Sequence, residues 1–300
     1  MSQTIVNGLE NRPVPAPTEH LVETAFGYPR NFLGNRFVYV VVSPRARGLS
    51  IGVNMNPDRG CNFNCIYCEV NRAVPPRDRE LTVEVMAGEL MQTLQQAHEG
   101  RLRELHPYRH LPEELLVPRH VALSGDGEPT LCPQFAEVVQ AVAHVRALGQ
   151  FPFFKIILIT NASGLDSPAV QQGLKFFTRQ DEVWAKLDAG TQAYMDRVDH
   201  SQVPLSKILD NIRALGRQRP VVIQSVFLLI HGEEPPLEEI EQYAQRLKDL
   251  KDAGTQIALV QIHSAARPII HPECAHLPLK FLSRIAQTVR RVTGLKAEVF

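Results

Sequence analysis

Apolar runs of strand length alternate with amphipathic segments of helix length over most of this chain, and that alternation limits its fold more than any other feature. "KIILIT" (155–160), "EVWAKLD" (182–188), "VVIQSVFLL" (221–229) and "QIALVQIHS" (256–264) read as near-continuous apolar strands. Strands of this kind are buried on both faces, as in a parallel sheet covered by helices. Helical spacing fills the intervals, at 82–102, 133–149, 167–180, 204–218, 236–254 and 279–294. Several of these segments open on proline or close on glycine, as helices do. A hairpin-like stretch at 36–55 comes first, and "KAEVF" offers a last strand. About six parallel strands are fewer than the eight of a closed barrel. The expected fold is therefore α/β, a partial (β/α)6 TIM-like barrel with parallel strands and an N-terminal extension; a doubly wound sheet is the alternative. Residues 1–48 read as an arm running into the start of the hairpin, and 49–300 as the barrel with its C-terminal helix.

Charge excludes some functions. Lysine plus arginine equals aspartate plus glutamate, 32 of each, so no global field draws the protein to nucleic acid or to anionic lipid. "RLREL" (101–105) and "RRVTGLK" (290–296) remain as local basic patches. The N-terminus does not read as a signal peptide, and the longest apolar runs, "FVYVVV" and "VFLLI", are strand-sized, so no membrane span and a cytoplasmic location are expected.

Polar residues gather just after the predicted strands. "DGEPT" follows "HVALSG", Asn161 follows "KIILIT", "DAGT" follows "EVWAKL", and "HSAARP" follows "QIALVQI". Parallel α/β folds build their sites on this edge, where the loops converge. The loop after the hairpin carries "RGCNFNCIYC" (59–68), with Cys61, Cys65 and Cys68 within eight positions. In a reducing compartment such a cluster is a metal or redox site rather than a disulfide. A structural zinc usually takes four closed ligands; here there are three thiols and no histidine in the loop, with Cys132 and Cys274 far off in sequence. An iron–sulfur cube held by three thiolates keeps one iron open for an exogenous ligand, which implies chemistry rather than scaffolding.

The C-x3-C-x2-C spacing, with Tyr67 before the last cysteine, resembles the signature of the radical S-adenosylmethionine (SAM) enzymes. "LSGDGEPTL" (123–131) resembles that superfamily's glycine-rich GGEP motif, departing from it at Asp126, where the family has glycine. "ITN" (159–161) and "KLDAGT" (186–191) resemble its third and fourth strand ends. The features together are most similar to the subgroup of the tRNA wyosine-forming enzymes and uncharacterised iron–sulfur oxidoreductases. The likeness runs from about residue 50 to about residue 270.

That resemblance implies a [4Fe–4S] cluster on Cys61, Cys65 and Cys68, with SAM chelating the fourth iron. It implies reductive cleavage of SAM to a 5′-deoxyadenosyl radical, which takes hydrogen from a substrate that the barrel positions. Tyr67 is expected near the adenine. Gly125, Asp126, Gly127 and Glu128 are expected along the methionyl end, where glycine lets backbone approach a ligand. Asn161 and Asp188 are candidates for ribose or carboxylate contacts. Lys186 and Asp188 share a strand face and pair there or on the surface. Gln224, inside an apolar strand, needs partners in SAM or in the barrel core. Arg267 is a candidate anion clamp, or an ion-pair partner, beside His263. His271 and His276 flank Cys274 without matching a standard zinc spacing, and Cys132 reads as a small buried apolar residue. The expected partners are SAM, an unknown and small substrate, and an electron donor such as flavodoxin or ferredoxin. A tRNA-modifying enzyme and a non-catalytic iron–sulfur electron carrier or sensor are the alternatives.

Overall fold

A computed structural model describes residues 32–73, 75–265 and 273–300. Strands β1 (Val38–Ser43) and β2 (Gly48–Asn54) form an antiparallel hairpin. From β2 onward the main sheet is parallel: β3 (Pro118–Ser124), β4 (Lys155–Thr160), β5 (Glu182–Lys186) and β6 (Val221–Val226) follow in order. A three-residue β7 (Leu228–Ile230) intervenes before β8 (Ile257–His263). The sheet's order is β1-β2-β3-β4-β5-β6-β8, with β10 (Ala297–Val299) parallel to β8 at the far edge. Helices α1 (Val83–His98), α2 (Phe135–Ala147), α3 (Pro168–Leu174), α4 (Gln192–Val198), α5 (Leu205–Gly216), α6 (Leu237–Asp252) and α7 (Leu279–Thr293) connect the strands. The result is an open, partial barrel: six β/α units, a hairpin strand at one edge and a short strand at the other.

The sequence explains the layers. Every residue of β2 and of β6 is buried, one face against helices and the other in the barrel. Met86, Leu90 and Leu94 make the buried stripe of α1, and Leu282, Ile285, Ala286 and Val289 that of α7. Each of these side chains other than Ala286 contributes about 1.5–3 kcal/mol by leaving water. Inside the barrel lies a second, separate apolar cluster. Ile159, Trp184, Val222 and Leu259 are side by side in register on four successive strands. They form a belt across the lumen. One inward row nearer the C-terminal strand ends come Lys186, Gln224 and Gln261, also in register.

The barrel's seam is stitched by side chains. From the hairpin turn, Arg45 Nη1 lies 2.7 Å from His263 Nε2 at the end of β8, and Arg47 Nη2 lies 3.3 Å from Glu298 Oε2 on β10. Among the described residues no backbone ladder joins β1 to β10.

Two sequence expectations need adjustment. The single strand expected at 221–229 is two. The Asp188 carboxylate accepts the Val226 N–H at 2.7 Å on the β5 side, the Phe227 N–H makes a last bond to His263 O of β8 at 2.9 Å, and β7 then leaves the sheet to pair with β9 (Cys274–His276). The helix expected at 167–180 stops at Leu174, because Asp181 accepts hydrogen bonds from the Thr178 N–H (2.6 Å) and hydroxyl (3.0 Å) and turns the chain. Among the described residues no helix is long and apolar enough to cross a membrane.

Candidate functional site

The loop that leaves β2 carries all three clustered cysteines. All five cysteines of the chain are free thiols. The loop is fixed by its neighbours. The Asn64 N–H donates to Asp199 O at 3.0 Å, and the Ile66 N–H donates to Val198 O at 2.9 Å, both at the C-terminal end of α4. The Cys68 N–H closes a turn on Cys65 O at 3.0 Å. Asn62 Oδ1 accepts from Asn161 Nδ2 at 2.9 Å, and Asn62 Nδ2 donates to Ser163 Oγ at 2.9 Å, which ties the loop to the end of β4. Cys61 and Cys65 pack against the core, and burial pushes both thiols up.

The glycine motif after β3 presses on the same loop. Gly125 has φ +137°, and a Cβ there would lie 2.1 Å from Asn54 Oδ1. A Cβ on Gly127 would lie 2.0 Å from Gly60 O. Glycine is required at Gly125 by its positive φ and the Asn54 side chain, and at Gly127 by the backbone of Gly60. Asn54 Nδ2 donates to Asp126 Oδ2 at 2.9 Å, and the Asp126 N–H donates back to Asn54 Oδ1 at 3.0 Å. The Glu128 N–H reaches Gly60 O at 2.9 Å. The buried Glu128 carboxylate accepts from the Thr130 N–H (3.1 Å) and hydroxyl (2.7 Å), the Asn161 N–H (2.8 Å) and the Thr160 hydroxyl. Burial pushes it up despite these donors. Glu128 thus buckles the ends of β3 and β4 together.

A polar cluster lies under Cys65. The Tyr67 hydroxyl donates to Asp188 Oδ2 and lies 3.1 Å from Asp199 Oδ1. Lys186 Nζ lies 3.5 Å from Asp188 Oδ2 and 4.5 Å from the centroid of the Tyr67 ring. Burial opposes the ammonium, yet Asp188, Cys65 and Asp199 hold it protonated. Burial, and then the charge of Asp188, push Asp199 up to about 7. Gln224 Nε2 donates to Gln261 Oε1 at 3.4 Å inside the lumen, while Ser225 faces outward to the Tyr243 hydroxyl at 2.6 Å.

The structure thus brings together Cys61, Cys65, Cys68, Tyr67, Gly125, Asp126, Gly127, Glu128, Asn161, Lys186 and Asp188 at one end of the barrel, with Gln224 one step inside. Arg267 and His271 lie outside the described residues. Cys274 and His276 belong to the ribbon of β7 and β9, and Cys132 is buried after the turn that follows Glu128, its thiol pushed to about 11 by burial. Sequence reasoning missed two residues. Asp199 follows α4 with no motif around it. Asn56 is 4% exposed, and its Oδ1 accepts no hydrogen bond from a described residue. It sits against Gly127, whose added Cβ would meet Asn56 Cβ at 2.6 Å.

These residues fit the cofactors the sequence implies. Three sulfur donors on one loop suit an iron–sulfur cube, which is gripped at separate corners; among the described residues no three His, Cys, Asp or Glu side chains converge on a single ion. The orphaned Asn56 carbonyl offers an acceptor beside the glycine motif, and an ammonium group would satisfy it.

Comparison with known proteins agrees. The family model of the Radical SAM superfamily matches residues 55–247. A UPF0026 protein of Helicobacter pylori is 30% identical over 228 residues, covering 74% of this chain and 66% of that protein, so the chain spans just under two thirds of its relative. The crystal structure of a radical SAM methyltransferase from Sphaerobacter thermophilus shares the fold with TM-score 0.61 at 17% identity, over 88% of this chain and 68% of that one. The structure of TYW1 with a lysine-pyruvate adduct bound shares it with TM-score 0.55 at 15% identity, over 87% and 85% of the two chains.

Proposed function

Because this chain belongs to the radical SAM superfamily, whose cofactors are a [4Fe–4S] cluster and SAM, we propose that it is an enzyme that cleaves SAM reductively and takes hydrogen from a small substrate. The observation that carries this reading is the trio Cys61, Cys65 and Cys68 on one braced loop at the C-terminal ends of the parallel strands. When bound, the cluster and SAM would supply an electron transfer and a carbon-centred radical; the electron itself comes from an external one-electron donor such as flavodoxin or ferredoxin.

The chain's own residues do the rest. The three thiols hold the cluster. Asn56 Oδ1 and the backbone around Gly125 and Gly127 receive the methionyl ammonium. Asn161 and Asp188 stand on the strand ends where the nucleoside would lie, and Asp126 is held beside them by Asn54. Tyr67 and Lys186 close the site beneath Cys65, and the apolar belt excludes water from below. Lys186, Gln224 and Gln261 line the lumen above the belt, where a substrate with hydrogen-bonding groups would be oriented.

The test is anaerobic reconstitution of the full chain, followed by SAM and dithionite and assay for 5′-deoxyadenosine. Cleavage that disappears in Cys65→Ala is the expected result. A protein that takes up the cluster and leaves SAM intact would instead be an electron carrier or sensor, and one that binds only zinc would end both readings.

A further inference from the structure

A large open cavity lies at the opposite end of the barrel from the cysteines. It encloses about 1650 Å³, well beyond the roughly 300–1,000 Å³ typical of small-molecule pockets. Its floor is the apolar belt, with Trp184, Val222 and Leu259. No residue of the cysteine loop lines it, nor do Lys186 and Gln224; of the lumen row, Gln261 alone reaches it past the belt. Its wall carries eight lysines and arginines against three acids. In a chain whose charges balance overall, that is a marked segregation.

The three acids are already engaged. Asp181 holds Arg146, behind the wall, through two contacts of 2.6 and 3.1 Å, and also accepts the Ile156 N–H. Glu182 takes Lys155 at 2.6 Å and the Trp184 indole N–H at 2.8 Å. Glu298 takes Arg47 and Lys296, the latter at 2.7 Å. No ion pair joins Arg119, Lys175, Arg179 or Arg219 to a described carboxylate. Arg219 is held in place by backbone carbonyls, with Nη2 2.9 Å from Thr178 O and 2.7 Å from Asp181 O. Its Nε is buried and donates to nothing described. A guanidinium held by neutral carbonyls keeps a charge that no described carboxylate pairs, and it stands in the basin wall.

We propose that this basin binds a ligand bearing several phosphates in a row, at a site separate from the radical chemistry. A single carboxylate or phosphate would leave most of the surplus charge and most of the volume unmatched. A chain of phosphates meets both, as either a free oligophosphate or a nucleic-acid backbone. The neutral total charge of the chain conceals this surface, because the balancing acids lie elsewhere.

The test is fluorescence anisotropy of a labelled short oligouridylate, with sodium tripolyphosphate as competitor, using the full chain at moderate salt. The expected result is binding that weakens with salt and falls about tenfold or more in Arg119→Glu/Arg179→Glu. Both positions are exposed. The matched control Arg284→Glu/Arg291→Glu, on the exposed face of α7, should change affinity by no more than about twofold. Displacement by tripolyphosphate assigns the site to free oligophosphates as well as to RNA, whereas RNA binding that tripolyphosphate does not displace assigns it to the nucleic-acid backbone. Absence of binding by either probe, or equal loss in the two double variants with both folded by circular dichroism, overturns the proposal. The measurement needs no cluster and no SAM, so its failure is distinguishable from failure of the enzymatic reading.

Discussion

At the cysteine end of the barrel, the buried carboxylates of Glu128 and Asp188 meet donors from neighbouring strand ends, Glu128 from Thr130, Thr160 and Asn161, Asp188 from Tyr67 and Val226. At the other end, Arg119, Lys175, Arg179 and Arg219 line a large open basin and pair with no carboxylate among the described residues. One end is a closed network that fixes a loop, and the other is a field awaiting counter-charge. The difference teaches that polar residues on a barrel's two rims answer to different constraints. At the cysteine end, internal partners engage the buried carboxylates and preorganise the loop, and Asn56 Oδ1 is left without a described donor. Where a mobile anion is to be gathered, saturation would defeat the purpose.

Substitutions at the two ends should therefore differ in kind. The largest effect belongs to Cys65→Ala: loss of cluster-bound iron and of SAM cleavage, with the far-ultraviolet circular dichroism unchanged. Retention of both would remove this thiol from the ligand set. Next comes Asp188→Ala. It strands Lys186 and the Val226 N–H, so unfolding in urea should show a loss of about 3–4 kcal/mol, and the Tyr67 hydroxyl should lose its anchor as well. A loss confined to SAM affinity would show that the network is less tightly closed than drawn.

A third effect reports on the basin end through pH. Burial lowers His120 to about 4 from 6.5, and it stays neutral against Ser50 Oγ at 2.8 Å, with Glu182, Lys155 and Arg45 the charged groups around it. Between those values the unfolded chain binds the proton and the folded chain does not, so stability falls as pH is lowered through that window. Going from about pH 7 to about pH 5 should cost about 2 kcal/mol through this residue, and His120→Gln should remove that dependence. The smallest effect is Glu298→Gln. It frees Arg47 and Lys296, whose side chains are 76% and 68% exposed, and should change stability by less than about 0.5 kcal/mol. It should also tighten phosphate binding slightly, by adding to the unmatched charge.

Much of this was legible in the residues. The apolar run at 155–160 sits in the sheet as read and that at 182–188 does so as far as Lys186, and the six expected parallel strands are β2, β3, β4, β5, β6 and β8, with β10 a seventh. The cysteine spacing and the glycine motif identified the superfamily, because both are local. What escaped the reading was non-local. Asp199 acquires its role only through Tyr67, 132 residues away. The last N–H of β6 on the β5 side goes to Asp188, 38 residues upstream. The basin escaped for another reason: summing charge over a chain erases where it lies, and only the sheet's order brings residues 47, 119, 179 and 219 to one rim.

The stitched seam has a mechanical consequence. A cylinder closed by a ladder of backbone bonds has a fixed girth, whereas here Arg45–His263 and Arg47–Glu298 are the fastenings between the hairpin and the far edge. Undoing them would break no backbone hydrogen bond of the sheet, so the girth of the wall at this line depends on side chains alone among the described residues.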